Sequence, residues 1–175
     1  VRILAGRWKG RRLPVPASAR PTSGRARQAL FNLLRDRVDG ARVLDLYAGS
    51  GAVGLEAVSR GAASAVLVEP DADALLATLR EWKVEPSEAR VLTGPVARAV
   101  QRLVGDGERF DVVFADPPYS REVAADLAEV TSVLAEGGLL VLQRDSRSAA
   151  PWLPGLREVA ERAYGRNVFH FLGVL

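Results

Sequence analysis

The 175-residue chain has no cysteine and no methionine, a single histidine, two lysines and two asparagines. Without cysteine it has no disulfide, no thiolate zinc site and no cysteine nucleophile. His170 lies in a β-type run among apolar neighbours, which suits a structural side chain rather than a catalytic base. No apolar run approaches the roughly 20 residues of a membrane-spanning helix, and there is no basic-then-apolar leader. Neither a membrane partner nor secretion is expected, and the expected location is cytoplasmic. What the chain has in quantity is arginine, 22 residues, unevenly placed. Residues 1–42 carry eleven Lys/Arg against two acids, net +9, and residues 43–175 carry thirteen against nineteen, net −6, which together give the formal +3. A basic first part joined to an acidic body suits a polyanion at one end and a cation at the other.

The acidic body opens on Val43-Leu44-Asp45-Leu46-Tyr47-Ala48-Gly49-Ser50-Gly51-Ala52-Val53-Gly54. An apolar run, a glycine turn and a helix-forming segment follow one another, the pattern of a nucleotide-sized socket at a strand end. The glycines also read as G-x-G-x-x-G, with Glu69 closing the next apolar run where a ribose-binding acid is expected. Asp45 argues against a pyrophosphate, because its carboxylate would point into the socket and repel phosphate oxygens. It would attract a cation. S-adenosylmethionine carries an ammonium and a sulfonium, lacks phosphate, and needs carboxylates for its amino group and ribose hydroxyls.

From residue 42 onward strands and helices alternate. The patterns predict strands at 43–47, 65–69, 90–93, 110–115 and 139–143, and helices at 52–60, 72–82, 96–104 and 123–134. This alternation implies a parallel sheet with helices on both faces and a ligand beyond the strand carboxyl ends. The β-type runs 158–164 and 168–175, separated by Gly165-Arg166-Asn167, predict a closing antiparallel hairpin. Ahead of the sheet, residues 1–13 suggest a small hairpin bearing Arg2, Arg7, Lys9, Arg11 and Arg12, with Trp8 as a stacking surface. Thr22 or Ser23 should cap a helix whose apolar face is Ala26, Ala29, Leu30, Leu33 and Leu34. Arg25 sits near that helix's N-terminus, where the dipole disfavours a cation unless an anion binds there. The expected organisation is a basic hairpin-and-helix extension for RNA docking over residues 1–40 and a cofactor-binding domain over 41–175.

A second motif ends the fourth strand, where Phe110-Asp111-Val112-Val113-Phe114-Ala115 runs into Asp116-Pro117-Pro118-Tyr119. Two prolines forfeit backbone donors and stiffen the chain, and stiffness is useful for aiming a poor nucleophile. The amino group of a nucleobase is such a nucleophile, since its lone pair is delocalised into the ring. The Asp116 carboxylate and the Pro117 carbonyl can accept both amino hydrogens, and Tyr119 can stack on a flipped base. Catalysis would then be positioning and electrostatics, with no metal.

Asp45 to Gly51 resembles the first motif of the Rossmann-like S-adenosylmethionine-dependent methyltransferases, and Asp116 to Tyr119 resembles the motif of enzymes that methylate base amines. With Arg2-Ile3, Trp8-Lys9-Gly10-Arg11, Arg20-Pro21-Thr22, Arg25, Arg27 and Leu30-Phe31-Asn32, nearly the whole chain is similar to the bacterial small-subunit ribosomal RNA guanine-N2 methyltransferases, the RsmD family. The resemblance implies an α/β class I methyltransferase fold, a mainly parallel seven-stranded sheet with helices on both faces, a C-terminal hairpin and a small N-terminal hairpin and helix. It implies methylation of a guanine N2 in 16S ribosomal RNA by a monomer, on a small ribosomal subunit or an assembly intermediate. Cofactor contacts are expected from Asp45, Tyr47, Ala48, Gly49, Ser50, Gly51, Glu69, Pro70, Thr93, Gly94 and Asp116. Asp116, Pro117, Pro118 and Tyr119 are the expected catalytic group, and Arg2, Arg7, Trp8, Lys9, Arg11, Arg12, Arg20, Thr22, Arg25 and Arg27 the expected RNA contacts. Gly24, Gln28 and Gln143 stand where the family pattern has acids, and Gly94-Pro95 where many relatives carry an adenine-contacting side chain. DNA adenine-N6 and protein-glutamine methylation are alternatives, and a nicotinamide oxidoreductase or a non-catalytic RNA-binding protein are more distant ones.

Overall fold

The computed structural model describes residues 1–15, 23–118, 123–148 and 151–175. The apolar runs become β1 (Arg42–Leu46), β2 (Ser64–Glu69), β3 (Ala89–Thr93), β4 (Phe110–Ala115), β5 (Leu134–Asp145), β6 (Leu156–Tyr164) and β7 (Asn167–Val174). They form one seven-stranded sheet in the order β3-β2-β1-β4-β5-β7-β6. β1 to β5 pair in parallel, and β7 runs antiparallel between β5 and β6. The mainly parallel sheet with a closing hairpin is as expected. Strand order reverses at β1 and β4, which opens a crevice beyond their carboxyl ends.

Side chains alternate between the two faces. Val43, Leu67, Phe114, Val141, Phe169 and Phe171 share a core with α1 (Gly24–Leu33), α3 (Ala52–Ser59) and α4 (Asp73–Glu81). Leu44, Val66, Val113, Leu140 and Leu142 share the other with α5 (Val96–Gly105). Burial on both faces explains why these strands read as continuous apolar runs.

The N-terminal hairpin is small and rests on α3, and two later segments differ from the sequence expectation. Among the described residues, the first thirteen pair as the expected small antiparallel hairpin, with a bridge from Arg2 to Arg12, Ile3 N–H donating to the Arg11 carbonyl at 3.0 Å and Leu13 N–H to the Val1 carbonyl at 2.8 Å. The hairpin is also held on α3: Arg7 N–H donates to the Ser59 carbonyl at 2.9 Å, Trp8 N–H to Ser59 Oγ at 2.9 Å, and the Ser59 hydroxyl to the Ala5 carbonyl at 2.7 Å. A Cβ at Gly6 would lie 1.7 Å from the Ser59 carbonyl oxygen, so only glycine allows this approach. The helix expected over 123–134 is broken into α6 (Val123–Asp126) and a 3₁₀ turn, Val130–Val133. Leu127, Val130 and Val133 recur every third residue, the 3₁₀ spacing, and all three are fully buried. Leu134 then belongs to β5, which is longer than the expected 139–143 because its register against β4 shifts between Phe110 and Val112.

The second difference is the buried face of α1. Ser23 caps the helix by accepting from Ala26 N–H at 3.1 Å, but the buried set is Ala26, Arg27, Leu30 and Phe31, while Leu33 is exposed. The helix is turned so that Arg27 faces inward. Its Nε donates to Glu56 Oε2 at 2.7 Å, and a terminal nitrogen donates to the Arg2 carbonyl. Arg60 donates to the other oxygen, Glu56 Oε1, from Nε at 3.0 Å and from a terminal nitrogen at 2.7 Å. Short α2 (Arg35–Val38) follows, with Arg60 stacked 4.6 Å over Phe31 above it.

Removing one partner from this group leaves a buried charge uncompensated. Glu56→Ala should lower unfolding free energy by about 3–5 kcal/mol, and Arg27→Leu combined with Glu56→Leu should recover most of that loss. Urea denaturation of the three proteins checks both outcomes.

Candidate active site

The crevice gathers the acids that end consecutive strands. Asp45 follows Val43 by two residues and Glu69 follows Leu67 by two, so both face the α3 side. Asp116 follows Phe114 in the same way, just beyond the end of β4. Period-two alternation thus brings three carboxylates to one face of the sheet, at the ends of the adjacent strands β2, β1 and β4.

The turn between β1 and α3 is strained and tied at several points. Tyr47, Gly49 and Gly51 have φ of 61°, 56° and 76°. For Tyr47 the left-handed conformation costs roughly 1–2 kcal/mol, and its hydroxyl is held by Asp126 Oδ2 at 2.8 Å. Ala48 N–H donates to the Val68 carbonyl at 2.9 Å, and Gly51 N–H to the Ala48 carbonyl at 2.8 Å. Glu69 Oε2 accepts from Gly49 N–H at 2.8 Å and Oε1 from Asp71 N–H at 3.1 Å. The acid expected at the ribose therefore also fixes the glycine turn. Ser50 is buried, Pro70 and Thr93 are exposed, and half-buried Gly94 donates to the Glu69 carbonyl at 3.4 Å with φ 137°.

Asp45 differs from the simple picture of a carboxylate aimed into the socket. It is 1% exposed, and its Oδ2 accepts from Gly54 N–H at 2.8 Å, in the first turn of α3. A Cβ on Gly54 would stand 3.2 Å from that oxygen, so the third glycine of the motif is the place where helix and strand touch. Burial pushes the Asp45 carboxyl from an ordinary 3.8 to about 7; the Gly54 bond opposes the rise, and the charges of Asp116 and Glu69 add to it. A cation in the crevice relieves all three carboxylates at once.

Beside them, Asp116 is half-buried, Pro117 buried and Pro118 exposed. Tyr119, Arg20 and Thr22 lie outside the described residues. Among the other expected RNA contacts, Arg2, Arg7, Lys9, Arg11, Arg12 and Arg25 are exposed. Arg7 is shared with Glu88 at 2.7 Å, and Arg11 rests 5.2 Å over the Trp82 ring. Two expectations are corrected. Trp8 is 7% exposed and packs on Trp82 with ring centroids 5.4 Å apart, so it stacks on protein. Arg27 is 1% exposed and bound to Glu56. Glu56 and Asp126 escape the sequence reading. The signal for Glu56 is that it is the one acid in a helix apolar on every side, which calls for a buried cation. His170 is structural, with Nδ1 2.7 Å from Glu158.

A family model described as Conserved hypothetical protein 95 matches residues 1–173. Ribosomal RNA small subunit methyltransferase D of Escherichia coli is 39% identical over 162 residues, 88% of this chain and 79% of that protein. The protein of the same name from Haemophilus influenzae is 37% identical, over 80% of this chain and 73% of its own. Among solved structures, a hypothetical protein of Thermus thermophilus is 42% identical and superposes with a TM-score of 0.82 over 99% of each chain.

Asp45 gives stability a defined pH dependence. Between pH about 4 and about 7 the unfolded chain has released this proton and the folded chain keeps it, so stability falls as pH rises, by up to about 1.4 kcal/mol per unit from this group. Asp45→Asn keeps an acceptor for Gly54 and carries no charge. Its thermal stability should fall less steeply over that interval and exceed that of the parent at pH 8. Parallel melts across the range check this, and equal slopes would return Asp45 to an ordinary carboxylate.

Proposed function

This chain belongs to the Conserved hypothetical protein 95 family, and from that premise we propose that it is an S-adenosylmethionine-dependent methyltransferase of small-subunit ribosomal RNA that modifies the exocyclic N2 of a guanine. The observation that carries the reading is the row of Glu69, Asp45 and Asp116 on one sheet face, with Pro117-Pro118 stiffening the last. The names of the relatives support the RNA class, and the Asp-Pro-Pro-Tyr resemblance supports an amine as acceptor.

The residues present fit a cationic, phosphate-free cofactor. Three acids converge on the crevice, and one of them is held near neutral pKa until a positive charge arrives. When bound, S-adenosylmethionine supplies a methyl group on a sulfonium centre. Glu69 accepts from the ribose hydroxyls while its Gly49 contact keeps the turn in shape, and Asp45 favours the cationic methionine end. Asp116 and the Pro117 carbonyl accept the two hydrogens of the guanine amine, which turns the nitrogen lone pair toward the methyl carbon. This nitrogen would take that methyl carbon, with the neutral thioether as the leaving group. The positive charge gained by nitrogen is offset by Asp116, and the proton passes to that carboxylate only afterwards, because an aromatic amine is far too weak an acid for a carboxylate to deprotonate beforehand. Exposed Arg2, Lys9, Arg11, Arg12 and Arg25 supply a cationic surface for phosphates on the N-terminal segment.

Asp116→Asn keeps an oxygen acceptor, loses the charge and places an NH2 donor against the substrate amine. Cofactor binding by calorimetry should survive, while single-turnover methyl transfer to small-subunit particles should fall at least about a hundredfold. Near-normal transfer by this variant would remove Asp116 from the mechanism.

A further inference from the structure

Beyond Asp116, on the side away from Asp45 and Glu69, the chain buries an amide with an unfilled acceptor. Gln143 is 2% exposed, its Nε2 donates to Asn167 Oδ1 at 3.3 Å, and its Oε1 has no hydrogen-bond partner among the described residues. Ala115 pairs with Leu142 across the parallel strands β4 and β5, so Asp116 and Gln143 are the next residues on neighbouring chains, roughly 4.8 Å apart. One step earlier, Phe114 and Val141 share the core on the α3 face. Alternation therefore puts Gln143 on the face that carries Glu69, Asp45 and Asp116. Asn167, two residues before Phe169, completes the row.

A buried amide oxygen without a donor weakens the unliganded fold, and the packing gives no reason for it, because the neighbours Val141 and Phe169 are apolar. We propose that Gln143, oriented by Asn167, reads the edge of the target base next to the amine under attack and accepts the N1–H of guanine. This rests on the guanine-N2 reading and adds to it the residue that separates guanine from adenine. In guanine the reactive amine is flanked by N1–H, a donor. In adenine the amine is flanked by N1 with a lone pair, which a second acceptor repels. One hydrogen of Nε2 is donated to Asn167, which orients the amide so that Oε1, the acceptor, is the atom left for the base edge. Because Oε1 is below the surface, the base must reach it edge first, out of its stack.

The test uses the full chain and small-subunit particles from a strain lacking it. The particles carry either guanine or 2-aminopurine at the position the parent protein methylates. 2-Aminopurine keeps the 2-amine and has no N1–H. The parent should lose about tenfold or more in kcat/KM on 2-aminopurine. Gln143→Leu should lose about as much on guanine, show no further loss on 2-aminopurine, bind S-adenosylmethionine as the parent does, and melt no lower. Gln143→Glu keeps the acceptor and should stay active on guanine. Asn167→Ala should lower kcat/KM on guanine by less than Gln143→Leu does and narrow the gap to 2-aminopurine in the same direction. Full activity of Gln143→Leu on guanine, or undiminished discrimination by it, overturns the inference and leaves the guanine-N2 reading standing. Failure of the parent to methylate any guanine amine overturns both.

Discussion

The contact between the buried Asp45 carboxylate and the Gly54 amide sets the geometry of everything around it. It fixes the first turn of α3 against β1 at a separation that a Cβ at position 54 would crowd. The glycine turn is thereby confined between two acids, Asp45 beneath it and Glu69 holding Gly49 from the side. The arrangement is costly without a ligand, because burial and two neighbouring carboxylates all oppose the Asp45 charge. Under the proposed function, that cost would make the crevice selective. A cation lowers it, whereas a pyrophosphate raises it, and this separates the site from dinucleotide-binding turns with the same glycine spacing.

The same helix that begins at the cofactor turn ends in the grip of the N-terminal segment. Ser59, near its last turn, holds Ala5, Arg7 and Trp8, and Glu56 in its middle holds Arg27 and Arg60. The basic segment is therefore packed on the cofactor helix through a buried ion group rather than suspended from it. Under the proposed function this would give the exposed basic residues a fixed position relative to the glycine turn, and reacting atoms need that precision of placement. Among the described arginines of the N-terminal segment, Arg2, Arg11, Arg12 and Arg25 are exposed, and buried Arg27 ties the Arg2 backbone to Glu56.

Much of the site is legible in the sequence because its signals are local. Asp45 with its glycines, Glu69 at a strand end, and Asp116-Pro117-Pro118 after an apolar run each combine residue type with position in a short stretch, and the family resemblance built on them is borne out by the match over residues 1–173. What stays hidden depends on partners distant in sequence. Arg27 reads as one more surface cation until Glu56, 29 residues on, is seen beside it. Trp8 reads as an exposed stacking ring until Trp82 closes over it. The helix expected over 123–134 is interrupted because its apolar residues recur every third position, a spacing close enough to the helical one to pass for it. In the sequence Gln143 is only a departure from an acidic pattern; its unfilled oxygen and its place on the strand next to the one that ends at Asp116 emerge from the fold.

The central claim is the acceptor atom, and the most direct test is to follow a labelled methyl group. Small-subunit particles from a strain lacking the protein would be incubated with the purified chain and S-adenosylmethionine labelled in the transferred methyl. The RNA would then be digested to nucleosides for mass spectrometry. The account predicts label in N2-methylguanosine from a single position of the small-subunit RNA. Label in N6-methyladenosine, in ribosomal protein, or in no product would contradict it.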